Sequence, residues 1–168
     1  YYPSDYPAFV CAPTETRGPF RNGIGRWKNR LLLQSEAMAQ WIDRIRPQPA
    51  WLMALGLAKP RIDARILDVG CGRGEALRFL KNIGFKRLHG IDPFLLAEAA
   101  SDEPGFRIQR TTLDSLDGQY DLILLNHSLE HMMEHDKVLG HVSRLLSEGG
   151  NCLIRIPVVG GIGWNRYR

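Results

Sequence analysis

Nowhere among these 168 residues does an unbroken apolar run approach the ~18 residues needed to cross a bilayer, so no membrane-spanning helix is expected. The opening YYPSDYPAF lacks the basic start and apolar middle of a secretory leader. Cysteine is scarce: Cys11, Cys71 and Cys152 are odd in number and widely separated. They form neither a disulfide framework nor zinc-ligand spacing, which predicts free thiols in a reducing compartment, the cytoplasm. Charge of one sign is not in large excess. Twenty-two Lys and Arg against eighteen Asp and Glu leave +4, a weak argument for nucleic acid on its own. The His-Glu-x-x-His zinc signature is missing as well. What remains is the ordinary composition of one globular domain, long enough to bury a real core. The first residue is Tyr1 rather than Met, which reads as a trimmed or partial product.

The stretch ARILDVGCGRGE, residues 64–75, organises the rest. Ile66, Leu67 and Val69 form a short apolar run of the kind that makes a buried strand, with Asp68 near its end. Gly70, Gly72 and Gly74 alternate with Cys71 and Arg73. Ala76, Leu77, Phe79, Leu80 and Ile83 then recur at helical spacing, with Gly84 as C-cap. The reading is strand, glycine turn, helix. A dinucleotide fingerprint would put its third glycine where Glu75 stands. Carboxylates at Asp68 and Glu75 repel a pyrophosphate and suit a ligand with positive charge; Glu75 also favours the helix dipole. Cys71 reads as a small turn residue rather than a nucleophile.

The acid followed by GxGxG in DVGCGRG resembles motif I of the class I S-adenosylmethionine-dependent methyltransferases. That resemblance implies an α/β fold: a Rossmann-like, doubly wound, mostly parallel sheet with helices on both faces. It also implies a cofactor, S-adenosylmethionine, that carries a sulfonium and an ammonium and no phosphate. Asp68, Gly70, Cys71, Gly72 and Gly74 would hold its methionine part. RLHGID is the next strand, and Asp92 lies 22 residues beyond Gly70. An acid at that strand end can accept from both ribose hydroxyls, the role the family implies for Asp92. Pro93 follows where adenine would come near. LLAEAA, residues 95–100, is expected to continue as a helix. After a third strand beginning at Phe106, Thr112 and Leu113 are the implied adenine neighbours, with Asp114 the nearest acid.

YDLILLNHSLEHM, residues 120–132, resembles the family's fourth strand and its outlet. The run Leu122 to Leu125 suits a strand covered on both faces. Asn126 and His127 stand at the strand's carboxyl end and are expected at the cofactor. His127 and His131 are the candidate bases should the acceptor need to lose a proton. His127, His131 and His135 repeat every four residues, but no metal is expected there. Val138, Leu139, Val142, Leu145 and Leu146 form an amphipathic helix, and NCLIRIPVV is the fifth strand.

The family's fold has seven strands, the last two an antiparallel hairpin. Five are counted here, and nothing after Pro157 supplies strands 6 and 7, so a C-terminally incomplete core over 60–168 is expected. Residues 1–59 read as an arm with leading helices: Trp27, Leu31, Met38, Trp41, Ile42 and Ile45 near one face of a helix over 27–46, then PAWLMALG as a second. Such leading helices shape the acceptor pocket in the family. The expected function is methyl transfer to a small molecule, a glycan or its precursor. Arg17, Arg21, Arg26, Lys28 and Arg30, with no acid among residues 17–30, motivate the alternative of an RNA or protein acceptor, with nucleic acid the less favoured partner. A non-catalytic module that only binds S-adenosylmethionine is the third reading.

Overall fold

The computed structural model describes residues 50–158, together with Ser35, Arg44 and Ile45. The basic stretch 17–30 and the tail from residue 159 lie outside the described residues. So does the 27–46 helix, apart from Ser35, Arg44 and Ile45, of which the last two are helical.

Chain order is α1 (Ala50–Ala58), β1 (Arg65–Val69), α2 (Glu75–Ile83), β2 (Arg87–Ile91), a 3-10 turn (Ala97–Ala99), β3 (Ser101–Glu103), β4 (Phe106–Gln109), β5 (Tyr120–Asn126), a second 3-10 turn (Leu129–His131), α3 (His135–Leu145) and β6 (Leu146–Arg155). The six strands form one sheet in the order β3-β4-β2-β1-β5-β6. All pairings are parallel except β3 with β4. β1 sits near the middle, and the order reverses beside it. That puts the carboxyl ends of β1, β2 and β5 next to one another, the crevice where open α/β sheets bind ligands.

The apolar strands make sense as sheet interior. Along β5, Leu122 and Leu124 join one hydrophobic core while Ile123 and Leu125 join the other. β1 does the same with Ile66 against Leu67 and Val69. Alternate side chains leave opposite faces, so a continuous apolar run is what two covered faces require. The first core takes Leu55 of α1 and Leu77, Leu80 and Ile83 of α2; the second takes Val142 and Leu145 of α3. Gly84 ends α2 at φ 106°, a left-handed cap whose N–H donates to Leu80 and Lys81 carbonyls.

Three expectations change. Residues 95–100 do not form a helix: only the 3-10 turn Ala97–Ala99 appears, and β3 comes after it. The reason is local. Pro104 and Gly105, the latter at φ 74°, make a tight turn that folds Ser101–Glu103 back onto Phe106–Ile108, with Asp102 paired to Arg107 across it. The count of strands rises from five to six for that reason. The last of them also begins before Asn151: Tyr120 pairs with Leu146, then Leu122 with Asn151, so the intervening residues bulge out around Gly149 at φ 72°.

Candidate functional site

The bend after β1 is built on backbone that only glycine takes easily. Gly70, Gly72 and Gly74 have φ of 73°, 51° and 75°. Space is closed as well. A Cβ at Gly74 would stand 2.0 Å from Cδ1 of Ile108, and one at Gly70 would stand 2.6 Å from Cβ of Ser128. The amides of Gly70 and Cys71 both donate to the Ile91 carbonyl, at 2.8 and 3.1 Å, which ties the bend to the tip of β2.

Two carboxylates flank it. Asp68 is buried on β1, and no described residue donates a hydrogen bond to its side chain. Burial, and secondarily the negative charge of Asp92, push its carboxyl up to about 7. Asp92, also buried, stands just past β2. Its Oδ2 accepts from the Gly72 N–H at 2.9 Å and its Oδ1 from the Phe94 N–H at 2.8 Å. Each oxygen keeps a second lone pair, so the carboxylate can still accept from a ligand. The Cys71 thiol is pushed up, first by burial and then by Asp68 and Asp92, and so stays protonated. A buried acid to which no described residue donates, a second acid beside it and a turn too tight for any Cβ fit a cationic nucleoside laid on bare backbone. They do not fit a pyrophosphate.

A cavity of about 400 Å³ opens beside the bend, with Gly70, Pro93, Thr112, Leu113, Met132 and Val138 among its lining. It therefore gathers four of the candidate cofactor residues, and Asp114 lies on its wall too. Asp68, Cys71, Gly72, Gly74, Asp92, Asn126, His127 and His131 are not among its lining.

The β5 outlet holds the histidines differently from a helical ladder. His127 comes after the strand with φ 55°, His131 closes a 3-10 turn, and His135 opens α3. Nε2 of His135 lies 3.1 Å from the Leu129 carbonyl, so that ring is turned to the backbone. Nη2 of Arg155 lies 2.6 Å from Nε2 of His127. A guanidinium can only donate, so Nε2 accepts and the proton of the neutral ring sits on Nδ1. That Nδ1 faces Oε1 of Glu130 at 3.4 Å, and Nε2 of His131 faces the same oxygen at 3.9 Å. His127 is thus occupied as a clasp between β5 and β6. Glu130 and Arg155 carry this arrangement, Ser128 stands between His127 and Glu130 against the bend, and sequence reasoning passed over Ser128 and Arg155 as site residues. The one available signal was the alternation Asn126, Ser128, Glu130 after the last apolar residue of the strand.

A family model described as a methyltransferase domain matches residues 29–164. A trans-aconitate 2-methyltransferase of Enterobacter sp. (strain 638) is 29% identical over 136 residues, covering 78% of this chain and 51% of the relative. Another protein of that name, from Deinococcus radiodurans, is 26% identical over 98 residues, covering 56% of this chain and 38% of the relative. The chain spans about half or less of the length of these curated relatives. The crystal structure of an S-adenosylmethionine dependent methyltransferase from Mesorhizobium loti superposes with a TM-score of 0.53 at 28% identity, covering 63% of this chain and 53% of that one.

Proposed function

The chain belongs to the methyltransferase domain family, and from that premise we propose that it binds S-adenosylmethionine and directs its methyl group to a small-molecule acceptor. The observation that carries the proposal is the pair of buried carboxylates, Asp68 and Asp92, on either side of a glycine bend at the carboxyl ends of adjacent strands. Bound there, S-adenosylmethionine supplies a methyl already activated by a sulfonium. The protein's work is to hold, orient and keep water out, and orientation alone is worth roughly 7–11 kcal/mol of barrier.

Asp68 and the glycine bend take the methionine part, Asp92 takes the ribose hydroxyls, and the cavity by Pro93, Thr112 and Leu113 takes the adenine. Asn126 stands where the methionine part meets the acceptor. Of the two histidines, His131 is the one assigned to receive an acceptor proton, because Arg155 already occupies Nε2 of His127. We assign the cofactor-binding core to residues 60–168 and the shaping of the acceptor pocket to residues 1–59. The cytoplasm is the compartment that suits the free thiols of Cys71 and Cys152. Among the described residues no helix is long and apolar enough to cross a membrane. The small-molecule class draws support from the relatives named for trans-aconitate.

The test is formation of S-adenosylhomocysteine when the chain and S-adenosylmethionine meet a panel of small acceptors. Turnover with at least one member supports the proposal. Tight cofactor binding with no turnover on any acceptor identifies a binding module instead. Turnover confined to RNA, with binding that weakens steeply as salt rises, would move the acceptor to nucleic acid.

A further inference from the structure

We infer that the outlet of β5 is an acceptor subsite for a nucleophile bearing hydrogen-bond donors, a hydroxyl or an amine, and that it turns carboxylates away. The inference rests on the proposed function, in which the cofactor occupies the neighbouring bend. Three polar atoms within five residues carry it. Oδ1 of Asn126, Oγ of Ser128 and Oε2 of Glu130 are buried and have no hydrogen-bond partner among the described residues. Native proteins leave few such atoms unsatisfied, and three together at the carboxyl end of a central strand point to a bound group that completes them.

Ser128 packs directly on the bend, its Cβ within 2.6 Å of where a Gly70 Cβ would be. Glu130 lies in the 3-10 turn and is half engaged. Its Oε1 faces Nδ1 of His127 and Nε2 of His131, at 3.4 and 3.9 Å. Its Oε2 is the half left over.

The chemistry of the three atoms selects the ligand. A carboxamide oxygen and a carboxylate oxygen only accept, and the serine hydroxyl can do either. A group that completes any of them has to bring protons. An amine or hydroxyl does so. A carboxylate brings lone pairs and a like charge against Glu130, the unpaired arrangement by which a site rejects the wrong partner. Arg155, a cation at this outlet, already donates to His127. Glu130 is therefore the residue that sets acceptor class, with Ser128 and Asn126 fixing orientation.

The test uses the whole chain saturated with S-adenosylhomocysteine, observed by ligand-detected NMR against two fragment sets matched in size. One set holds amines and phenols; the other holds carboxylates, trans-aconitate among them. The expected result is binding concentrated in the first set and weakened about tenfold or more by Glu130→Gln, as loss of a charge-assisted hydrogen bond requires. Ser128→Ala should weaken the same fragments less, and each variant's affinity for S-adenosylhomocysteine reports that it folds. Carboxylates that bind as well as the donor set, donor fragments indifferent to both substitutions, or no binding from the donor set would each overturn the inference. The titration that precedes the screen separates this from failure of the underlying function: a wild-type chain that S-adenosylhomocysteine does not saturate removes both.

Discussion

Asp68 lies in the interior with no described hydrogen-bond donor, and its carboxyl is pushed up to about 7 by burial and by Asp92. An acid raised in this way favours the folded state only while protonated. Between roughly pH 4 and pH 7 the unfolded chain ionises Asp68 and the folded chain does not, so stability declines as pH rises through that window and levels off above it. Asp68→Asn should remove that decline and raise stability at alkaline pH by about 2 kcal/mol or more, read as the difference between urea midpoints at the two ends of the window. The same group makes cofactor binding a proton-linked event. A cationic ligand binds the ionised carboxylate, so binding below about pH 7 should release a proton, and affinity should fall as pH is lowered. Calorimetry in two buffers of different ionisation enthalpy measures it; proton uptake, or no exchange at all, would remove Asp68 from the site.

At the scale of elements, the strand–bend–helix unit was legible because its parts agree. A short apolar run, three alternating glycines and a capping Gly84 all point to one local structure, and the structure puts the three glycines at left-handed φ. Gly74→Ala tests how tightly it is built: the new methyl meets Ile108 at 2.0 Å on backbone of φ 75°. The expected loss is about 1–3 kcal/mol in a denaturant melt, partly recovered when Ile108 is shortened to Val in the same chain. The segment after Asp92 was less legible. LLAEAA has helix-forming residues, but a tight turn at Pro104 and Gly105 commits Ser101–Glu103 to pairing with β4, whose own place is set by β2. The outlet of β5 was hidden for a related reason. His127 and His131 share the spacing of a helix, yet the helix starts only at His135, and Arg155 arrives from a strand 28 residues away to fix the tautomer of His127. Spacing along the chain carries no trace of that contact.

Across the whole molecule the sheet separates anchoring from chemistry. The amino ends of its strands hold a network around Asp121, which accepts from the Arg65 backbone N–H at 2.8 Å, from Nη2 of Arg65 at 2.9 Å and from Oγ of Ser147 at 2.9 Å. The Arg65 guanidinium and these hydrogen bonds hold the Asp121 carboxyl well below the usual carboxylate range. The network ties β1, β5 and β6 together at the end remote from the glycine bend. Because its charges are partly exposed, Asp121→Ala should cost only about 1 kcal/mol, a loss that fades as pH falls below roughly 4. Cofactor affinity should be unchanged, and a linked fall in affinity would mean that the two ends are coupled. The architecture itself was legible in the order of strands and helices. Which acid meets which amide was not, because those contacts join residues on different strands.

The proposed site depends on a carboxylate before the bend and another at the neighbouring strand tip holding a cationic nucleoside. Calorimetric titration of the wild-type chain and of Asp92→Ala with S-adenosylmethionine, and of the wild type with NAD as a control, tests it most directly. The expected result is saturable binding of S-adenosylmethionine, weakened by about 2 kcal/mol or more in the variant, and no binding of NAD. Equal affinity in wild type and variant, or a wild-type chain that prefers NAD, would contradict it.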